Sequence, residues 1–300
     1  MRAGKLVAGL LLVLASVAAG AQELSPRAYW PAPQGTRILT AVYAYSWGDI
    51  VTDPALPVTG AESSLNKAVV GYFHTLSLFG RTSNVVVELP YAWGSARGLV
   101  QGEERVRELA GLGDAAVTLS VNLKGAPAMS VAEFRELAAA PPSILAASLR
   151  IVAPTGRYAE DRLVNVGANR WAAKAELGYI QPLTPDWHLE IEAGAWFFGE
   201  NDEFALGERE QDPVYAAEFH LVRRFARGDW ASINANFFRG GRTSTDGTAS
   251  NDRQRNGDLG LAYTFALDRK QSLKFAASAG VLTEAGGKYR TLSVNYIRLL

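Results

Sequence analysis

Histidine is the side chain best suited to proton transfer near neutral pH, and the 300-residue chain has three of them and no cysteine. Thiolate metal sites and cysteine nucleophiles are therefore excluded. His188 and His220 each stand two residues from a glutamate, Glu190 and Glu218, a grouping that could hold a metal ion or act as a general base. Neither follows the H-E-x-x-H spacing that sets two imidazoles on one helix face. No metal ligand, cofactor or catalytic residue is assigned, and hydrogen bonding within the fold is the plainer role for both. His74 shares a face with Tyr72 and Leu76, and no suitably placed His-x-Ser accompanies it to make a lipid-cleaving pair. Glu200-Asn-Asp-Glu-Phe and Asp246-Gly-Thr-Ala-Ser-Asn-Asp-Arg could take up Ca²⁺ or bridge lipopolysaccharide phosphates, but lack the ligand order of an EF-hand and read as solvated loops. Gly240-Gly241-Arg242 has no following Lys-Ser/Thr and is not a phosphate loop.

The element that must position the two central histidines is a strand. Trp187, Leu189, Ile191, Ala193, Ala195 and Phe197 alternate with His188, Glu190, Glu192 and Gly194. Ala115 to Lys124 and Ser272 to Val281 alternate in the same way, and a period of two over about ten residues is incompatible with a helix. Twelve such segments are predicted, near residues 36–47, 68–78, 85–93, 115–124, 144–153, 171–181, 187–198, 214–225, 230–238, 258–267, 272–282 and 289–299. Each is about the 9–11 residues of a tilted membrane-crossing strand, and the number is even, as bacterial single-chain barrels require.

Loop lengths sort by parity. Every second connection is short (79–82, 182–186, 226–229, 268–270), whereas 48–66, 94–114, 154–170, 199–213 and 240–257 are longer and polar or glycine-rich. Short periplasmic turns opposite long outer loops are the pattern of an outer-membrane barrel. Residues 125–142 break it. Ser130 and Glu133 form a capping box ahead of Val131-Ala-Glu-Phe-Arg-Glu-Leu-Ala-Ala, and Pro141-Pro142 ends the run, which predicts a short helix on the periplasmic side or in the lumen.

A barrel in lipid is apolar outside and polar inside. The polar faces carry Glu88, Lys124, Arg150, Lys174, Glu176, His188, Glu190, Glu192, Glu218, His220 and Lys274, the candidate lumen-lining residues. They could set a transverse field that selects solutes, or pair with one another, as buried charges must. Tyr45, Trp47, Tyr91, Trp93, Trp171, Tyr179, Trp187 and Phe197 lie near strand ends, as interfacial girdles do.

The chain ends and the charge agree. Arg2 and Lys5 precede an apolar run over 6–17, and Ala19-Gly20-Ala21 resembles a cleavage site, so 1–21 read as a signal peptide and 22–300 as the barrel domain. No later apolar run reaches helix-spanning length. Thirty basic and thirty acidic residues cancel, which gives nucleic acid nothing to bind. The last strand ends in Leu300 and carries Arg298 on an otherwise apolar face, an atypical signal for the outer-membrane assembly machinery.

Several motifs occur in order: Arg27-Ala-Tyr-Trp-Pro-Ala-Pro-Gln-Gly-Thr, Gly111-Leu-Gly-Asp, Gly125-Ala-Pro-Ala, Pro154-Thr-Gly-Arg-Tyr, Asn165-Val-Gly-Ala-Asn-Arg-Trp, Arg209-Glu-Gln-Asp-Pro, Gly240-Gly-Arg-Thr and Asn251-Asp-Arg-Gln. Together they resemble the family labelled "MetA-pathway of phenol degradation", described as outer-membrane transporters. The resemblance implies a barrel passing small aromatic or hydrophobic compounds, and supplies no catalytic residue.

The expectation is thus an all-β transmembrane antiparallel barrel of about twelve strands with one short helix, in the outer membrane among lipid and lipopolysaccharide. Passive diffusion of a small molecule is the expected function. A closed structural or adhesion barrel and a lipid-modifying enzyme are the alternatives.

Overall fold

The computed structural model describes residues 26–51, 58–100, 103–162, 164–205, 207–225 and 228–300. The expected signal peptide lies outside them. Sixteen strands are present: β1 (Arg37–Val51), β2 (Val58–Leu78), β3 (Arg81–Val100), β4 (Glu103–Leu112), β5 (Ala116–Lys124), β6 (Ile144–Val152), β7 (Ala172–Pro182), β8 (Trp187–Phe198), β9 (Arg209–Gln211), β10 (Val214–Arg224), β11 (Trp230–Gly240), β12 (Thr243–Thr245), β13 (Thr248–Ala249), β14 (Gln254–Ala266), β15 (Gln271–Leu282) and β16 (Gly286–Leu299). The short strands β9, β12 and β13 form a small sheet of their own.

The other thirteen make one antiparallel sheet. Its ends meet, because β1 pairs with β16 from Ile38 opposite Leu299 to Val51 opposite Gly286. Both β4 and β5 lie against β3, the first along Tyr91–Val100 and the second along Ser83–Glu88, so they fill one position in two pieces. The result is a closed barrel of twelve positions. Closure leaves no open edge in the main wall, which lipid requires because it offers the backbone no hydrogen-bond partner.

The outer face is apolar. Leu89, Leu149, Leu177, Ile191, Phe219, Ile233 and Leu261 are all exposed on it. Aromatic side chains gather towards its rims, with Tyr45 stacked on Trp47 at one end and Phe225 against Tyr263 at the other. No described helix is long and apolar enough to cross a membrane. His74 is on this outer face, beside Tyr72.

Two segments expected as long loops are largely strand. β1 and β2 remain paired out to Asp49 and Glu62, and β3 and β4 stay paired to Val100 and Glu103. Alternation continues there in polar residues, and cross-strand pairs such as Arg97 with Glu62 (2.7 Å) replace apolar contacts. These hairpins stand beyond the apolar belt. The expected helix is present as α1 (Val131–Ala139), with both bonds of its capping box: Ser130 N–H donates to Glu133 Oε2 at 2.7 Å, and Glu133 N–H to Ser130 Oγ at 3.4 Å. The Ser130 amide also holds the Glu133 carboxyl below its usual range.

An Arg at Ile191 would stand in the middle of the apolar belt and should cost about 2–4 kcal/mol. Ser293→Thr, on the inner face, should change stability by less than about 0.5 kcal/mol. Reversible denaturant unfolding in lipid vesicles measures both, and equal losses would mean that the two faces are misassigned.

Candidate functional site: the barrel bore

Period two sends every second side chain inward, and the ladder register stacks these residues in rings. On β8 the inward row is His188, Glu190, Glu192, Gly194, Trp196 and Phe198. Glu192 faces Glu218 of β10, which faces Asn236 of β11; Glu190 faces His220, which faces Asn234. Beyond this polar belt, towards the long loops, Trp196, Val214, Ala216 and Phe238 form an apolar cluster with Phe198 against it.

Most of the expected bore charges pair. Arg150 bonds to Glu88, and Lys174 bridges Glu176 and Glu218, reaching Glu218 Oε1 at 2.7 Å. His188 Nε2 lies 3.1 Å from Glu190 Oε1, and both side chains are fully buried. Lys274 faces inward opposite Thr264 and Asn295 and has a partner of its own. Lys124 departs from the expectation. The register shifts between Asn122 and Lys124, so Lys124 pairs with outward-facing Leu145 and stands exposed at the rim. A β-bulge moves every later side chain to the opposite face.

Residues 27–30, ahead of the first strand, lie inside the barrel, a position that no periodicity in the sequence announces. The Arg27 amide donates to Glu190 Oε2 at 2.6 Å, and its guanidinium lies 5.0 Å from the ring centre of Trp30 and 5.5 Å from that of Trp230. Tyr29 is 2% exposed. Its hydroxyl donates to Glu176 Oε1 at 2.8 Å and so accepts from Ser148 Oγ at 2.7 Å, while its carbonyl accepts from Asn122 Nδ2 at 3.2 Å. Trp30 stacks on His188, with ring centres 4.9 Å apart. Gly178 makes room for the plug, since a Cβ there would overlap the Tyr29 ring.

Helix α1 closes the same end from below. Phe134 and Leu137 pack against a buried cluster of Tyr29, Trp30, Met129, Ile144 and Ile180. Arg224 links the parts: its guanidinium lies 5.3 Å from the Trp30 ring centre, and its Nη2 donates to the carbonyls of Ala138 (2.9 Å) and Pro185 (2.8 Å).

At the opposite end the sequence motifs converge on a loop lock. Asp114, in the break between β4 and β5, accepts from the amides of Gly156 and Ala168, both at 2.8 Å. The backbones of Gly156 and Gly167 touch there, and a Cβ on either would collide with the other. Asn201 joins the next loop by donating to Tyr158 Oη (2.9 Å) and the Ala168 carbonyl (3.2 Å). Arg170 lies over Phe198 and bonds to Gln211, and its burial lowers its pKa to about 10. Thr243 is held by Asp252 through its amide (2.9 Å) and its hydroxyl (2.7 Å).

Packing is uneven around the bore. From β7 to β11 the inward side chains are large and mostly buried; Glu190, Glu192, Glu218 and His220 are each 4% exposed or less. On β15 and β16 the inward side chains are Ser272, Lys274, Ala276, Ser278, Thr291, Ser293 and Asn295, with Tyr289 and Ile297 towards the two ends of β16, and all of them keep accessible surface. They face the inside of a closed wall, so that surface belongs to an open space along β15, β16 and β1.

No curated protein sequence matches the chain. Among solved structures, the COG4313 outer membrane channel from Pseudomonas putida F1 superimposes with a TM-score of 0.75 at 23% identity, covering 93% of this chain and 100% of that one. The transport unit of the autotransporter AIDA-I from Escherichia coli follows at a TM-score of 0.54 and 11% identity, with 93% of each chain covered. The β domain of the Bordetella autotransporter BrkA gives 0.50 at 13% identity, covering 89% of this chain and 100% of that one. At these identities the likeness establishes the barrel fold. The sequence itself goes further: residues 55–298 match the family described as "Putative MetA-pathway of phenol degradation", and the chain belongs to it.

Proposed function

We propose that the protein is an outer-membrane channel through which small solutes diffuse along the β15–β16–β1 side of the bore. The observation that carries this reading is the uneven packing. A barrel that served only as a scaffold would have no reason to keep mostly small, accessible side chains on one quarter of its inner wall, three of the twelve positions, while packing β7 to β11 with buried ones. In this reading residues 1–21 are the export signal, α1 and the short turns face the periplasm, and the loop lock faces outward.

The wall of the passage mixes methyl and hydroxyl groups: Ser46 on β1, Ala276 with Ser278 on β15, and Thr291 with Ser293 on β16. Such a surface suits small, largely neutral solutes that carry both an apolar body and a hydroxyl. Phenols and related aromatic compounds have that character, and the description of the family points the same way. Selection would come from width and wall polarity, with no bond made or broken. Glu88, Arg150, Lys174, Glu176, His188, Glu190, Glu192, Glu218 and His220 then act mainly by filling the opposite side. Lys274 is the expected bore charge that stands on the passage side.

A closed structural barrel is the second reading, and the plug at residues 27–30 with the loop lock above it is what favours it. Planar-bilayer recording separates the two, since a passage gives discrete single-channel currents and a closed barrel gives none. Uptake of phenol by cells with and without the protein then tests the solute class.

Two variants test the role of the plug. Tyr29→Phe removes the donor to buried Glu176 and should cost about 1–3 kcal/mol. Gly178→Ala should displace the Tyr29 ring, raise single-channel conductance and expose residues 27–30 to protease. An unchanged conductance in a correctly folded Gly178→Ala barrel would remove the plug from any part in setting the width.

A further inference from the structure

We propose that Glu192, Glu218 and His220 form a binding site in the bore for one divalent first-row transition-metal ion. The ladder brings them together. Glu192 of β8 is directly opposite Glu218 of β10, and His220 follows Glu218 by two residues on the same inward face. One ligand atom from each residue lies within 4.8 Å of the others. Ligands bound about 2.0–2.2 Å from a metal stand roughly 3–4 Å apart, so small side-chain rotations close the site.

The imidazole is prepared for this role. His220 is 0% exposed, and its Nδ1 lies 2.9 Å from Asn234 Oδ1. An amide oxygen can only accept, so Nδ1 carries a proton, which in the neutral ring leaves the lone pair on Nε2. Nε2 is buried without a hydrogen-bond partner among the described residues. A ring held through one nitrogen by a carbonyl oxygen, with the other nitrogen free, is the usual arrangement of a metal-binding histidine.

Charge points the same way. Glu176, Glu190, Glu192 and Glu218 put four carboxylates in this belt, against the cations of Lys174 and Arg27. A divalent ion would let these crowded carboxyl groups ionise together at lower cost than the single ammonium of Lys174 allows. Lys174 does not block the site, because a carboxylate can serve the ammonium with one oxygen and an ion with the other. Two carboxylates and one imidazole, with further positions open, suit Zn²⁺, Co²⁺, Mn²⁺ or Fe²⁺ better than Mg²⁺ or Ca²⁺, which prefer oxygen alone. The site comes from pairing across two strands, which is why no linear motif marks it.

The test uses the full-length barrel, folded in detergent, stripped with a chelator and titrated with Co²⁺ as a visible probe and with Zn²⁺ by calorimetry. Heat-modifiable migration on gels confirms the fold of each variant. Wild type should bind one ion and show Co²⁺ absorption bands, and His220→Ala and Glu192→Gln should lose both. Asn234→Ala, which frees the ring without removing a ligand, should weaken binding about 10–100-fold. His74→Ala, on the outer face, should bind as wild type does. Failure of folded wild type to bind either ion would overturn the proposal, as would binding unaffected by Glu192→Gln and Asn234→Ala. Neither readout depends on transport, so the result stands apart from the channel reading.

Discussion

Closure of the hydrogen-bonded ladder between β1 and β16 is the constraint on which the rest of the structure depends. Within lipid the wall must satisfy its own amides and carbonyls, and only a closed sheet does so. Once closed, the wall has two faces of opposite character, and alternation turns most of the polar residues of its strands into a narrow bore. Twelve strands enclose too much space for wall side chains to fill and too little to leave charges in bulk water. The chain meets this with Lys174 between Glu176 and Glu218, and with Arg150 on Glu88. It also folds in residues that do not belong to the wall.

Those extra residues explain the asymmetry. Arg27, Tyr29 and Trp30 bind β5 to β8 and reach Trp230 on β11, and α1 seals the cluster from the short-turn end. The loop lock around Asp114, Asn201 and Arg170 covers much of the same sector from the other end. Packing on one side leaves the side built from Ala, Ser and Thr as the path of least obstruction. In the proposed reading, transport and stability are divided around the circumference of the barrel rather than along its axis.

Much of this was legible in the sequence, because alternation is a local property. Trp187–Phe198 reveals both faces of β8 without any knowledge of its neighbours, and Ser130 with Glu133 announces α1. Features that depend on partners were hidden. Residues 48–66 and 94–114 look like loops because polarity masks their period, yet cross-strand pairing keeps 48–49 against 62–63, and 94–100 against 103–109, extended. Lys124 is turned outward by a one-residue register shift that leaves no mark on composition. The plug could have been suspected only from an unusual Arg-Ala-Tyr-Trp ahead of the first strand. The motifs at Asp114, Gly156 and Gly167 proved to be a carboxylate capping loop amides and a backbone contact between two glycines, which only the folded chain brings together.

The central claim is that the passage follows β15, β16 and β1 while β7 to β11 are packed shut. Because the chain contains no cysteine, single cysteines report on this without background. The decisive measurement is single-channel conductance of Ser293→Cys and Asn236→Cys barrels before and after a charged, membrane-impermeant thiol reagent. The account predicts that Ser293→Cys is modified and its current falls, while Asn236→Cys stays unreacted and its current is unchanged. Modification of Asn236→Cys with loss of current, and none at Ser293→Cys, would place the passage on the opposite side and contradict the account.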